Sequence, residues 1–442
     1  MTEKPERRFV VEPGGALSGT LQVPGDKSIS HRAVMLGAIA EGETAVSGFL
    51  DGDDAMATLA AMRALGVAID GPEQGRLRIQ GVGLRGLQAA AGALDLGNSG
   101  TSMRLLAGLL AGQRFASRLV GDRSLMKRPM RRVTEPLARM GANIHTEPSG
   151  TAPLVIEPVA ALEGIDYPLP VASAQVKSAL LLAGLYASGE TRVTEPAVTR
   201  DHTERMLEAF GADVRVAGSQ VSVRGGGSLQ GGAVVVPGDI SSAAFFLVGA
   251  SIAGTGPLTL TNLGLNPTRT GVIDILQRMG ARIHVERERS GAGEPVATLT
   301  VEPSRLQGIA IPPDRVPLAI DEFPALFIAA ACAEGETTLT GAEELRVKES
   351  DRIAVMADGL GALGIQAEPT PDGIRIVGGP VRGGHIQARG DHRIAMAFAM
   401  AGLVADAPIT IDGCSEVDTS FPGFVDRARE AGLRIRSEEG GA

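Results

Sequence analysis

One phrase recurs six times along the chain and limits the fold more than any other feature: "AAMRALGVAI", "PLARMGANI", "MLEAFGADV", "ILQRMGARI", "GLGALGIQA" and "RAREAGLRI". Each reads as the last turn of a helix, a glycine just past it, and the start of a strand, because glycine accepts the left-handed backbone that ends helices. The glycines are Gly66, Gly141, Gly211, Gly280, Gly364 and Gly432, a period of roughly 70 residues and so longer than that of open solenoids. A second phrase ("GETAVSG", "GETRVTE", "GPLTLTN", "GETTLTG", "APITIDG") predicts a turn and a short alternating strand. The second repeat, with "QRFASRLV", matches it least. Upstream of each lies an Ala/Leu-rich run such as "SMRLLAGLLA", "SAAFFLVGASIA" or "HRIAMAFAMAG". A helix that is apolar nearly all round is buried on every side. Each unit thus reads as strand, buried helix, strand, second helix, strand. The second helix is more amphipathic, as in "DHTERMLEAF", and is expected to face solvent. Six such α/β units fit two domains of three. The Gly-rich stretch "GGGSLQGGAVVVPGDISS", around 225–242, is the best break, and it repeats the opening "VPGD".

Composition narrows the function classes. A chain of 442 residues with 44% hydrophobic and 21% charged residues is expected to pack two or three cores. A formal charge of -9 argues against general nucleic-acid binding. With no Trp and two Tyr, an aromatic base-stacking platform is not expected either. Cys332 and Cys414 are the two cysteines, too few for a disulfide framework or a cysteine-rich zinc site. The opening "MTEKPERRFV" lacks the apolar stretch of a secretory signal, and no apolar run is long enough to span a bilayer, so a cytoplasmic protein with no membrane partner is expected.

Polar residues gather where the buried helices begin: "GDKSISHR", "GNSGTSMR", "ASAQVKS", "GDISS", "IDEFP" and "GDHRIA". Unpaired N–H groups and the helix dipole favour anions at such ends. Several connections are cationic: "GDRSLMKRPMRR" holds Arg123, Lys127, Arg128, Arg131 and Arg132, "TRDHTERM" holds Arg200, and "RVKESDR" holds Arg346, Lys348 and Arg352. Any one of these is more often a surface charge than a ligand. Their shared place at unit joints, in an acidic protein, points to anionic substrates, which arginine holds through paired bonds. Asp321 opens an apolar helix and reads either as an exposed N-cap or as a proton acceptor. Glu349, Lys27 and Lys348 are further proton carriers by chemistry. His31, His202 and His392 stand beside charged residues and are more often structural, whereas His145, His284 and His385 belong to no constellation. Neither a complete P-loop, a G-x-G-x-x-G turn, H-E-x-x-H nor a G-x-S-x-G elbow is found. Positioned cations and proton-transfer groups, with no metal or organic cofactor, are the expected machinery.

The phrases "PGDKSISHR", "LGNSGTSMR", "KRPM", "RVKESDR" and "GDHRIAMA", met in order from about residue 15 to 425, resemble the 5-enolpyruvylshikimate-3-phosphate synthase family. The resemblance implies a two-domain inside-out α/β barrel, each domain three βαβαββ units. Residues 21–240 would form one domain and 1–20 with 241–442 the other, with the active site in the interdomain cleft. It implies a monomer whose substrates are shikimate 3-phosphate and phosphoenolpyruvate. Lys27 would touch both substrates. Ser28 and Arg32 would hold the shikimate carboxylate. Ser173, Ala174 and Arg200 would hold the 3-phosphate, with Gln175 against the ring and the enol substrate. Asn98, Gly100, Arg128, Arg352 and Arg393 would surround phosphoenolpyruvate. Asp321 would accept the 5-hydroxyl proton, Glu349 would exchange the proton at C3, with Lys27 as an alternative carrier, and Lys348 would bind the shikimate moiety.

Two positions qualify the likeness. Gly100 matches the glycine of glyphosate-sensitive members, so inhibition by glyphosate is expected, although "ASAQVKS" and "TRDH" are similar to the divergent bacterial (class II) branch that includes tolerant enzymes. Thr419-Ser420-Phe421-Pro422 stands where many members have Lys-Thr-Phe-Pro, so one expected cation is missing. The related carboxyvinyltransferase that uses UDP-N-acetylglucosamine is the nearer alternative, but its mobile-loop cysteine has no match in "GDRSLMKRPM". A non-catalytic anion-binding scaffold built from the same units is the other, and it would not need Lys27, Asp321, Glu349 and the arginines together.

Overall fold

The structure is a computed structural model that describes residues 6–288 and 293–439. The fold is mixed α/β. Its chain divides into two compact units, one of residues 25–236 with 293–294, the other of residues 6–24, 237–288 and 295–439. Each has its own core of buried apolar side chains.

The six helix-ending glycines all have positive φ, from 82° at Gly364 to 115° at Gly432, the backbone that a side chain disfavours. In the 25–236 unit the inner helices are Lys27–Ile39, Gly100–Ala111 and Ala174–Gly184. In the other unit they are Ile240–Ala253, Phe323–Ala331 and His392–Ala401. Almost every residue of each is buried, as helices without a polar face require. The second helices bury one side; Arg131–Arg139, for example, buries Val133, Thr134, Pro136 and Leu137. His202–Ala209 departs from the expected solvent-facing helix, since His202, Thr203 and Glu204 are buried along with Met206 and Leu207. Its first turn is drawn into a polar network described below.

Each unit carries sheets of one recurring order. In the clearest case Leu94–Asp95 lies parallel to Ser117–Val120 across the Gly100–Ala111 helix, and the Asn143–His145/Leu154–Glu157 hairpin adds antiparallel to it. An intervening helix supplies the long crossover that a parallel pair needs. Asp166–Pro168, Glu190–Thr194, Gln220–Arg224 and Val214–Ala217 repeat the order. Glu336–Leu339 has its parallel neighbour as an isolated bridge between Ala310 and Thr338, with a second bridge just before the strand between Gln307 and Glu334. Among the described residues no sheet closes on itself; the sheets hold two to four strands. The barrel of the expectation is therefore not a closed sheet.

Two strands are exchanged in sequence. Leu17–Leu21, which precedes the Lys27–Ile39 helix, belongs to the unit of residues 6–24, 237–288 and 295–439 and pairs there in parallel with Gly254–Gly264. Ala233–Val235, which precedes the Ile240–Ala253 helix, pairs in parallel with Glu41–Ser47. The chain passes between units at Pro24/Gly25 and at Val236/Pro237, inside the two "VPGD" phrases. Both phrases end in a capping aspartate: Asp26 accepts the Ile29 N–H at 2.9 Å and Asp239 the Ser241 N–H at 2.8 Å. The Asp239 N–H also donates to the Pro24 carbonyl at 2.9 Å. Arg7–Gly15 lies between Ile409–Asp412 and Leu433–Glu439, antiparallel to both.

Candidate functional site

In the 25–236 unit the Asp26 cap sets Lys27 and Ser28, both half-buried, in the first turn of their helix, with Arg32 5% exposed one turn on. Lys27 Nζ pairs with the Asp54 carboxylate. Arg32 donates from Nε to Thr203 Oγ1 (2.7 Å), from Nη1 to the Ser28 carbonyl (2.8 Å) and from Nη2 to Ser178 Oγ (2.9 Å). Burial pushes its guanidinium down to about 10; Glu204 and Asp26 oppose that shift and nearby Arg200 adds to it. His31 is buried and bonded through Nδ1 to Thr58 Oγ1 at 2.7 Å, the structural role. From Thr58 the contacts run on to Ser102 Oγ (2.6 Å) and from there to Ser99 Oγ (2.7 Å).

Ser99 caps the second inner helix, accepting the Ser102 N–H at 3.1 Å, which places Asn98 and Gly100 at its start. Arg128 Nη2 donates to Asn98 Oδ1 (2.6 Å), and Asn98 Nδ2 donates to Asp122 Oδ2 (2.6 Å). Arg128 alone of its cationic loop turns inward by half; Arg123, Lys127, Arg131 and Arg132 are exposed. The sequence reasoning missed Arg104. It is 6% exposed and donates to Gln175 Oε1, while Gln175 Nε2 donates to Thr101 Oγ1 at 3.0 Å. Its signal was an arginine inside an otherwise apolar run. A Cβ built on Gly100 would lie 3.0 Å from Arg104 Nη1 and 3.1 Å from Arg128 Nη1. Two guanidinium groups thus converge on a helix start with no side chain in the way, a seat for a phosphate or carboxylate. Ser173 caps the third inner helix through the Val176 N–H (3.4 Å), leaving Ala174 and Gln175 in the first turn. Arg200 is half-buried, just before the His202–Ala209 helix.

In the other unit Asp321 is not the helix N-cap. That position is Glu322, with no capping bond from its side chain, because Pro324 in the first turn removes one of the N–H groups a cap would serve. Asp321 instead turns to cations: its Oδ1 lies 3.3 Å from Arg352 Nη1 and 3.3 Å from Lys348 Nζ. Arg352 is 1% exposed and also donates from Nη2 to Glu349 Oε2 (2.6 Å) and from Nε to Asp391 Oδ2 (2.8 Å). Burial works against its charge, but Asp391, Glu349 and Asp321 outweigh it and hold the guanidinium above its usual value. Asp391 caps the third inner helix of this unit through the Arg393 N–H (3.0 Å), and Arg393 Nη1 donates to the Asp321 carbonyl (2.9 Å). The structure therefore gathers Asp321, Lys348, Glu349, Arg352 and Arg393 from three separate segments into one hydrogen-bonded group. Thr419 is buried and donates to the Glu416 carbonyl at 2.6 Å, a turn-holding role unlike that of a lysine. His385 does have a partner, the Asp412 carboxylate at 2.5 Å.

Among the described residues there is no cluster of three or more histidine, cysteine or acidic side chains suited to a metal, and no helix long and apolar enough to cross a membrane. Helix starts lined with arginine, lysine and carboxylate define an α/β protein suited to small, multiply charged anions and to moving protons beside them. A family model described as EPSP synthase (3-phosphoshikimate 1-carboxyvinyltransferase) matches residues 11–428. A protein of Alkalilimnicola ehrlichii named 3-phosphoshikimate 1-carboxyvinyltransferase is 67% identical, over 97% of this chain and 96% of its own. A protein of Nitrosococcus oceani with the same name is 64% identical over the same shares. A solved structure of EPSP synthase from Acinetobacter baumannii superposes with a TM-score of 0.89 at 58% identity, covering 98% of this chain and 100% of that one. The chain belongs to the EPSP synthase family.

Proposed function

We propose that the protein is a 3-phosphoshikimate 1-carboxyvinyltransferase of the shikimate pathway, feeding chorismate and aromatic amino-acid synthesis. It transfers the enolpyruvyl group of phosphoenolpyruvate to the 5-hydroxyl of shikimate 3-phosphate. The finer architecture proposed with it is three βαβαββ copies per unit, helices inside and sheets outside.

The reaction is an addition followed by an elimination. The 5-hydroxyl oxygen attacks C2 of the enol while C3 gains a proton and becomes a methyl group, giving a tetrahedral ketal phosphate. The methyl then loses a proton, the C2–O bond to phosphate breaks, and inorganic phosphate leaves as the enol ether forms. Asp321 takes the hydroxyl proton. Glu349 gives and later removes the C3 proton, with Lys27 the alternative carrier. The ion pairs of Asp321 and Glu349 with Arg352 fix where both carboxyl groups point. Ser28 and Arg32 hold the shikimate carboxylate, Ser173, Ala174 and Arg200 the 3-phosphate, and Gln175 lies against the ring. Arg128, Arg352 and Arg393, with the backbone at Asn98 and Gly100, hold phosphoenolpyruvate. Lys27 touches both substrates near the reacting centre, and Lys348 binds the shikimate moiety beside Asp321. The fixed cations offset the mutual repulsion of two phosphates and two carboxylates and orient the reacting atoms.

The observation that carries this reading, beyond family membership, is the gathering of Asp321, Lys348 and Glu349 around the one buried guanidinium of Arg352. A scaffold needs no proton-transfer groups in such a place. The test is phosphate release from shikimate 3-phosphate plus phosphoenolpyruvate, with the carboxyvinyl product identified by mass. Release with no such product, or none at all from a folded sample, overturns the reading.

A further inference from the structure

Lys177 lies one turn into the Ala174–Gly184 helix, its N–H donated to the Ser173 carbonyl at 3.1 Å. Its side chain is 2% exposed. An ammonium group gives up its water at large cost and stays buried only where it is paired. Two buried carboxylates meet it, Glu195 Oε2 at 2.7 Å and Glu204 Oε1 at 2.7 Å, and the Thr199 carbonyl lies at 3.5 Å. None of the roles assigned above uses this group.

Its neighbours give it a purpose. Glu195 and Glu204 bracket the segment that carries Arg200. Glu195 also grips Thr199, the residue before Arg200: Oε2 accepts the Thr199 N–H at 3.4 Å and Oε1 accepts its hydroxyl. Glu204 sits in the first turn of the helix that follows. Next to it Thr203 donates to Ser178 Oγ (2.7 Å) and receives Arg32 Nε. The segment is thus tied on both sides of Arg200 to one helix, whose start presents Ser173 and Ala174.

We propose that Lys177 is a positioning residue for Arg200: by drawing Glu195 and Glu204 onto a single ammonium it closes the 195–204 loop and fixes where the Arg200 guanidinium meets a phosphate monoester. This rests on the assignment of Arg200 to the 3-phosphate of shikimate 3-phosphate. Lys177 itself touches no substrate. Its replacement acts on the phosphate end of that substrate and not on phosphoenolpyruvate.

The experiment measures dissociation constants for shikimate 3-phosphate and for shikimate, which lacks the phosphate, by calorimetry, together with the KM for phosphoenolpyruvate. Proteins compared are the wild type, Lys177→Met, Arg200→Ala and the double variant. Lys177→Met is expected to weaken shikimate 3-phosphate about 10- to 100-fold, as misplacing a positioned group does, and to leave the other two constants within about twofold. In the Arg200→Ala background it is expected to add nothing, because coupled residues are not additive. An equal loss for shikimate, or full additivity with Arg200→Ala, overturns the proposal. If Lys177→Met does not fold, Thr199→Val keeps the shape and loses the hydroxyl bond to Glu195. It must then weaken shikimate 3-phosphate selectively, and an unchanged constant overturns the proposal. A folded wild type that binds no shikimate 3-phosphate fails the functional reading instead, so the two failures are distinct.

Discussion

Removing Asp321 from the group around Arg352 leaves that guanidinium two carboxylates, Glu349 and Asp391. The fold should therefore tolerate Asp321→Asn better than loss of the arginine. Turnover should fall about 10²- to 10⁴-fold, the usual contribution of a positioned base, while the KM for shikimate 3-phosphate changes little. Steady-state kinetics decide this, and full turnover removes Asp321 from its assigned role. At Gly100 the added methyl of Gly100→Ala meets side-chain ends first, the guanidinium groups of Arg104 and Arg128, and no backbone atom as near. We expect little loss of stability, a modest rise in the KM for phosphoenolpyruvate, and a rise of about tenfold or more in the glyphosate inhibition constant, the scale of one methyl group in a tight pocket. Equal inhibition constants refute the steric account. His31 makes a prediction in pH. Burial first, then the charges of Lys27 and Arg32, holds its imidazole well below the ordinary value. Below about pH 6.5 the unfolded chain binds a proton that the folded protein refuses, so this contribution is complete above that pH. It is lost as the pH falls, at about 1.4 kcal/mol per unit. Urea unfolding of His31→Asn at pH 7.5 and 5.5 should show a flatter dependence than the wild type, and identical slopes contradict the assignment. At this scale the sequence disclosed most of the cations in phrases at helix starts. It hid Arg104 and Lys177, because both lie inside apolar runs and their partners are far along the chain. At Asp321 it left open an exposed N-cap or a proton acceptor; the cap position is Glu322, and Asp321 faces Lys348 and Arg352.

Helices Gly100–Ala111 and Ala174–Gly184 pass so close that a Cβ on Gly108 would sit 2.1 Å from the Ala179 carbonyl oxygen. Backbone cannot yield there as a side chain can. Gly108→Ala should cost about 1–3 kcal/mol or more, the range for overpacked cores, measured as a lower midpoint in urea. Because Arg104 on the first helix bonds Gln175 on the second, the same change should weaken substrate binding beyond what stability alone explains. Unaltered stability would mean the helices are free to part. The elements themselves were largely legible: glycine after an amphipathic helix, a Gly-Glu-Thr turn before an alternating strand, and all-apolar runs between them. What the pattern could not tell was the depth of the second helices. His202, Thr203 and Glu204 look like a solvated first turn until their partners are seen: Glu294 for His202, Arg32 and Ser178 for Thr203, and Lys177 for Glu204.

At the scale of the molecule, residues 25–236 form a continuous stretch with a complete core of its own, so that fragment is expected to fold and to unfold in one cooperative transition. It holds Lys27, Ser28, Arg32, Ser173, Ala174, Gln175 and Arg200, yet none of Asp321, Lys348 and Glu349. Under the proposed roles, in which Lys348 also binds the shikimate moiety, it should bind shikimate 3-phosphate more weakly than the whole protein and turn nothing over. It also lacks Glu294, which lies 2.8 Å from His202 in the full chain, so some loss of stability is built in. Calorimetry and a phosphate-release assay test both parts, and a fragment that stays unfolded contradicts the first. The six helix-ending glycines were visible in the sequence because each stands in the same local phrase. Strand exchange at the "VPGD" phrases left no local trace, since Ala233 pairs with Ala45 and Leu258 with Gly19, far apart in the chain; only the family resemblance put residues 1–20 with the later half.

The strand Arg7–Gly15 leaves the ribosome long before both of its neighbours, Ile409–Asp412 and Leu433–Glu439. Leu17–Leu21 likewise waits for Gly254–Gly264. Synthesis therefore holds the Phe9–Val11 stretch with bare backbone edges in water until the distant partners follow, which gives a chaperone reason to shelter it.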